Sequence, residues 1–124
     1  MKLLPIEFKA GVPVYEQVLY AARKAIVSGE LKPGDPFPSV RALSAEYRIN
    51  PNTVQKALTA LKNEGLVESL PGIGNRVRER PEGSKTDRAI LLDEQLEALT
   101  VRAKQLHLTL DEVTSALRNH WKSL

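Results

Sequence analysis

The sequence contains no cysteine. That excludes a disulfide framework, a thiolate metal site and a cysteine nucleophile, and it fits a reducing compartment. Histidine is nearly absent as well. His107 and His120 are far apart in sequence and have no third nitrogen or sulfur ligand to complete a set, so no metal site is expected. No apolar run approaches the roughly 20 residues that span a bilayer. The opening "MKLLPIEFKAGV" is broken by Pro5, Glu7 and Lys9 and lacks a small-residue cleavage site, so it does not read as a secretory signal. A cytoplasmic chain without membrane contact is expected. No catalytic triad or carboxylate pair stands out. "KPGD" and "PGIGN" lack the Lys and Ser/Thr that follow the glycines of a phosphate loop, so they read as turns. Neither an enzyme nor a cofactor is expected.

What is present is organised and unevenly charged. A chain of 124 residues holds one domain, or one domain and an appendage. Residues 1–80 carry 12 Lys and Arg against 8 Asp and Glu, whereas residues 81–124 carry 6 against 7. The basic excess therefore sits wholly in the first part and points to an anionic partner there.

Periodicity predicts a first helix over 13–28, with Val14, Val18, Ala21, Ala22, Ala25 and Ile26 on one face, Pro13 in the first turn and Gly29 past the end. "GELKPGDPFPS" then predicts a turn-rich connector, with room for a very short strand at Phe37. A short second helix starts at the N-cap Ser39, with Val40, Leu43 and Tyr47 inward. Pro51 disfavours helical geometry at Asn50 and suits the first position of a third helix, with Asn50 as its N-cap. Val54, Ala57, Leu58 and Leu61 form its buried stripe, and Gly65 ends it. "LVESL" and "RVR", joined by "PGIGN", predict a β-hairpin.

Helix, short helix, turn, helix and hairpin make a winged helix-turn-helix. In that arrangement the third helix enters the major groove, and the second crosses the phosphate backbone. A groove about 12 Å wide tolerates no bulky or acidic leading face. No acid occurs from Pro51 to Asn63; the outward residues include Asn52, Thr53, Gln55, Lys56 and Thr59. Asn and Gln pair bidentately with adenine, Thr meets a thymine methyl, and Lys meets guanine or phosphate. The first N–H groups and dipole of this helix also favour a phosphate. At the hairpin tip, glycines permit close backbone approach, and Arg76, Arg78 and Arg80 follow. A solvated polar face and a solubilising hairpin are the plainer readings of the same residues. A protein-docking module and an enzyme or small-ligand binder are the two rivals for the assembled fold.

"PVYEQV", "AIVSGELKPGDPFPSVRALSAEYRINPNTVQKALTALKNEGLVESLPGIGNRV" and the short helical tail resemble the GntR family of bacterial transcription regulators, and its YtrA subfamily in particular. The likeness covers about 13–77. It implies that Ser39 bonds a phosphate and that Arg41 reaches bases or backbone at the groove edge. Relatives often carry Arg where this chain has Pro51 and Gln55, which shifts readout to Asn52, Thr53, Gln55 and Lys56, with Asn50 and Thr53 partly capping or phosphate-binding. Gly72, Ile73 and Gly74, supported by Arg76, would enter the minor groove. Tyr15, Leu43, Val54, Leu58 and Leu61 would fall at core positions.

"ERPEGSK" reads as a linker, placed at 81–86 between a DNA-binding domain over 1–80 and a two-helix domain over 87–124. Leu92, Leu96, Leu99, Ala103 and Leu106 step by 4, 3, 4 and 3, which is a heptad seam. "TLDE" matches a capping box at Thr109 and Glu112. Val113, Ala116, Leu117, His120 and Trp121 then share a face. Two helices cannot enclose a ligand pocket of a few hundred Å³, and the family likeness implies homodimerisation through them. The expected whole is mainly α with a small β-hairpin: an N-terminal winged helix-turn-helix and a short C-terminal helical dimerisation domain. It would be a homodimeric repressor of a palindromic double-stranded DNA operator. The subfamily likeness adds its own operon, often with transporter genes, as the target.

Overall fold

A computed structural model describes residues 3–79 and 85–124. α1 covers Val14–Ser28, β1 Pro36–Phe37, α2 Val40–Tyr47, α3 Pro51–Asn63, β2 Val67–Leu70 and β3 Gly74–Val77. α4 covers Lys85–Ala89, a π-helical stretch Ile90–Gln95, α5 Leu96–Gln105 and α6 Leu110–Ser123. The chain divides into two compact units, Met1–Glu82 and Gly83–Leu124.

In the first unit each helix stops where its sequence says. Pro13 stands at the N-cap of α1, and Gly29 closes it in left-handed geometry. Val18 and Ala22 of α1 meet Leu43 of α2 and Val54, Leu58 and Leu61 of α3 in one core, closed below by Val67 and Val77 of the sheet. Full burial of a Leu such as Leu61 stabilises by about 1.5–3 kcal/mol.

The sheet has one strand more than a hairpin. Its order is β1-β3-β2, antiparallel, with Pro36 opposite Arg76 and Phe37 opposite Asn75. Pro36 lacks an N–H, which an edge strand tolerates. Two further bonds, Gly34 N–H to the Val77 carbonyl and Val77 N–H to the Asp35 carbonyl, tie the connector to β3. The return strand starts at Gly74 rather than Arg76 and ends at Val77, so Arg78 lies outside it.

The N-terminal segment is also part of this core. Leu4 and Ile6 are buried. The Tyr47 hydroxyl accepts from the Leu4 N–H at 2.8 Å and donates to the Leu4 carbonyl at 2.5 Å. The Gln17 amide accepts from the Lys9 N–H and donates to the carbonyls of Lys9 and Val12. A side chain meeting both backbone groups of one residue replaces a β-ladder pair, which lets this segment pack without a partner strand.

Two expectations for the second unit change. Lys85 and Thr86, placed in the linker by sequence, already belong to α4. Pro81 and Gly83 are the last residues before it that oppose helix. The rest of the expected linker, 81–84, and Arg80 lie outside the described residues. The heptad seam is also interrupted. The Leu96 N–H reaches the Leu91 carbonyl, an i→i+5 bond, across Ile90–Gln95. Such a turn holds about one extra residue. Leu91 therefore takes the station one turn before Leu96, and Leu92 moves toward the stripe's edge. The capping box forms: Thr109 Oγ1 accepts from the Glu112 N–H, and the Glu112 carboxylate accepts from the Thr109 N–H.

Candidate nucleic-acid interface

Three elements of the first unit carry the sequence-derived DNA contacts. Ser39 caps α2, its Oγ accepting from the Ala42 N–H at 3.0 Å. A hydroxyl has one donor and two lone pairs, so the O–H stays available to a phosphate oxygen. Arg41, second in α2, is exposed beside it.

Between α2 and α3 the chain turns through Arg48, which sits at φ 52° and ψ 47°. That left-handed geometry is unusual for a residue with a Cβ. Asn50 then caps α3, its Oδ1 accepting from the Asn52 N–H at 2.8 Å, with Pro51 at the first helical position. The N–H groups of Thr53 and Val54 both go to the Asn50 carbonyl. Pro51 has none to offer. Every N–H in the first turn of α3 is thus already spent within the chain, contrary to the expectation that they would hold a phosphate. The first-turn backbone of α3 therefore offers an anion only its dipole. Asn50 caps the helix through its Oδ1, and its side-chain N–H₂ stays available to a phosphate.

The outward face of α3 carries Asn52, Gln55, Lys56 and Thr59, all exposed; Thr53 is half-buried at its edge. Two of these side chains are held. Gln55 Nε2 donates to Thr59 Oγ1 at 3.2 Å. The Lys56 ammonium lies over the Tyr15 ring, 4.5 Å from its centroid. Tyr15 is therefore not a plain core residue: it is half-buried, packs on the core and offers a ring face to Lys56. Glu64, the first acid after the start of α3, is engaged by Arg23 through Nε and Nη2 at 2.8 and 2.9 Å. The Glu64 hydrogen bond holds the Arg23 guanidinium charged above its ordinary range. Glu64 is consequently no competitor for Lys56.

At the wing, Gly72 and Gly74 take φ of 74° and 110°, values that a residue with a Cβ rarely adopts. Between them Ile73 is 80% exposed. Arg76 is less free than its sequence position implies. It lies directly across the ladder from Glu68, to which its Nε donates at 2.6 Å. Glu68 also faces Arg78 at 3.9 Å. The wing's cation is half-balanced by an acid on the neighbouring strand. The alternation of β2 and β3 could have revealed this pairing, because residues opposite in a ladder share a face.

In the second unit nearly every large apolar side chain is open. Leu91, Leu92, Leu96, Leu99 and Leu106 are 45–63% exposed, and Trp121 is 80% exposed. Ala103 alone is buried among the described residues of this unit. No helix among the described residues is long and apolar enough to cross a membrane.

The family model described as bacterial regulatory proteins, gntR family, matches residues 14–77. The chain is 30% identical to the HTH-type transcriptional repressor YtrA of Bacillus subtilis, over 98% of this chain and 99% of that one. Among solved structures it resembles YtrA from Sulfolobus acidocaldarius, a GntR-family transcription factor, at 30% identity and a TM-score of 0.61, covering 80% of this chain and 99% of that one. It also resembles AraR(DBD) in complex with operator ORX1, at 26% identity and a TM-score of 0.54, covering 62% of this chain and 99% of that one.

Proposed function

From the premise that this chain belongs to the GntR family and is a DNA-binding transcriptional regulator, we propose that it is a homodimeric repressor that blocks transcription by occupying a palindromic operator. The outward face of α3 carries this reading: it is polar, free of acid and backed by the buried stripe Val54, Ala57, Leu58 and Leu61. Asn52 and Gln55 read base edges, and Thr53 meets a methyl or sugar at the edge. Ser39 and Arg41 hold the backbone flanking the groove. Gly72, Ile73 and Gly74 place the wing tip in the minor groove, and Arg76 contributes the donors that Glu68 leaves unused. In this reading the first domain, 1–80, binds DNA, and the two-helix domain, 87–124, joins two copies.

The dimer reading rests on the open apolar surface of the second unit. Leu91, Leu96, Leu99 and Leu106, with Leu92 at the edge and Trp121 on α6, leave this stripe wet in a single chain. Exposed apolar stripes of that extent mark association surfaces. Ala103, already covered, lets helices approach closely at its level. A two-fold dimer of this kind calls for a two-fold operator, whose half-site spacing the helical unit would set. The subfamily resemblance of the sequence adds the expectation that the chain regulates its own operon, with transporter genes, in the cytoplasm.

Selecting bound duplexes from a random pool tests this function. A palindromic consensus is expected, bound with an affinity that falls steeply with salt. An asymmetric consensus would remove the dimeric operator, and no enrichment would remove DNA recognition in favour of a protein-docking role. Arg41→Ala should weaken binding to every selected duplex while leaving the thermal melt unchanged. Unaltered affinity would remove Arg41 from the contact set.

A further inference from the structure

The contact between Lys56 and Tyr15 joins two helices with different fates on DNA. A helix with its side chains is about 10–12 Å across, and the major groove is about 12 Å wide. Only α3 fits. α1 must stay outside, against the groove wall. Lys56 belongs to α3, but its ammonium is not over α3: it lies 4.5 Å from the centre of a ring carried by α1. A cation parked on α1 stands at the wall, where the phosphates are, and not at the groove floor with the base edges.

We propose that Tyr15 is a positioning residue for DNA binding, which holds the Lys56 ammonium at the groove wall so that it meets a backbone phosphate and does not read a base. The inference rests on the reading of α3 as the recognition helix. Lys56 on its own is a flexible four-carbon stem with a strongly hydrated end. An aromatic face attracts the ammonium through its quadrupole and leaves its other side open to an anion. Among the described residues no carboxylate lies within ion-pair distance of Lys56, and Glu64 is occupied by Arg23. Lys56 therefore has the ring as its partner in the free chain, and part of the ordering that binding requires is already done. Base readout on this face then falls to Asn52 and Gln55, with Thr59 holding the Gln55 amide.

The test uses the full chain and the duplex it selects. Tyr15→Phe keeps the ring and should bind within about twofold of the unaltered chain. Tyr15→Leu keeps apolar bulk without the quadrupole and should weaken binding about two- to fivefold, equally for all duplexes. Lys56→Ala should lower the slope of log affinity against log salt by about one. The double variant Tyr15→Leu with Lys56→Ala should bind no more weakly than Lys56→Ala alone. Additive losses, an unchanged Tyr15→Leu, or a changed base preference in Lys56→Ala would each overturn the proposal. Should Tyr15→Leu not fold, the ε-methylene protons of Lys56 in the unaltered chain decide. They should show an upfield ring-current shift relative to those of Lys62, both free and on DNA, and no shift would refute the contact. If the unaltered chain selects no duplex at all, the DNA-binding reading fails, and this inference fails with it. If it selects one that Tyr15→Leu binds equally well, only this inference fails.

Discussion

The two units of this chain use similar side chains in opposite ways. In Met1–Glu82, most Leu and Val residues at helical spacing are buried, Leu43 and Leu61 at 2% and 1% exposure, with Val14 an exception at 40%. In Gly83–Leu124, Leu residues at equally regular spacing stand about half open. The period alone does not distinguish them. The difference lies in what comes back to cover the stripe. Three helices and a sheet enclose the first core; two helices of the second unit have two apolar faces and too few elements to hide both. An amphipathic pattern says which face wants cover. Whether the chain or a second copy supplies it is a matter of topology.

The contrast can be broken by substitution. The largest effect is expected in the enclosed core: Leu61→Ala should cost about 2–5 kcal/mol of unfolding free energy by denaturant titration. That loss should not depend on protein concentration. Leu99→Asp should give monomers in sedimentation velocity, with apparent operator affinity falling about a hundredfold or more as two-site binding is lost. A dimer that persists would place the contact elsewhere. Gln55→Ala should cost about 1–3 kcal/mol at one base pair and little elsewhere in the site, read from binding to single-substitution duplexes. An equal loss on all sequences would remove Gln55 as a reader. The smallest effect sharpens the first unit from the other side. Arg48→Gly relieves a left-handed residue and should stabilise that unit by roughly 0.5–1 kcal/mol in the same titration.

Much of the first unit was legible because its signals are local. Ser39, Asn50 and Pro51 mark helix starts by hydrogen-bonding rules that involve only a few neighbours, and the structure places a start at each. The buried stripe of α3 was legible for the same reason. Contacts between distant residues were not. Leu4 with Tyr47, and Pro36 with Arg76, each join segments about forty residues apart. Tyr15 was read as core, and it is half core; nothing in "PVYEQV" shows that Lys56 will lie on its ring. Arg76 read as a free cation until the ladder set Glu68 opposite it.

Sequence order and local chemistry were thus enough to settle the helix ends of the first unit, the turn between α2 and α3, the acid-free outward face of α3 and the family. Backbone capping and hydrophobic period act over a few residues, so they can be read along one dimension. Tertiary structure alone decided three things. It tied Leu4 to Tyr47, it drew Lys56 toward α1, and it set Pro36 against Arg76. Each depends on where a backbone or side-chain group finds its best partner in space, and several partners compete for that place. Spacing in the chain lists the competitors, and only the packed arrangement selects among them.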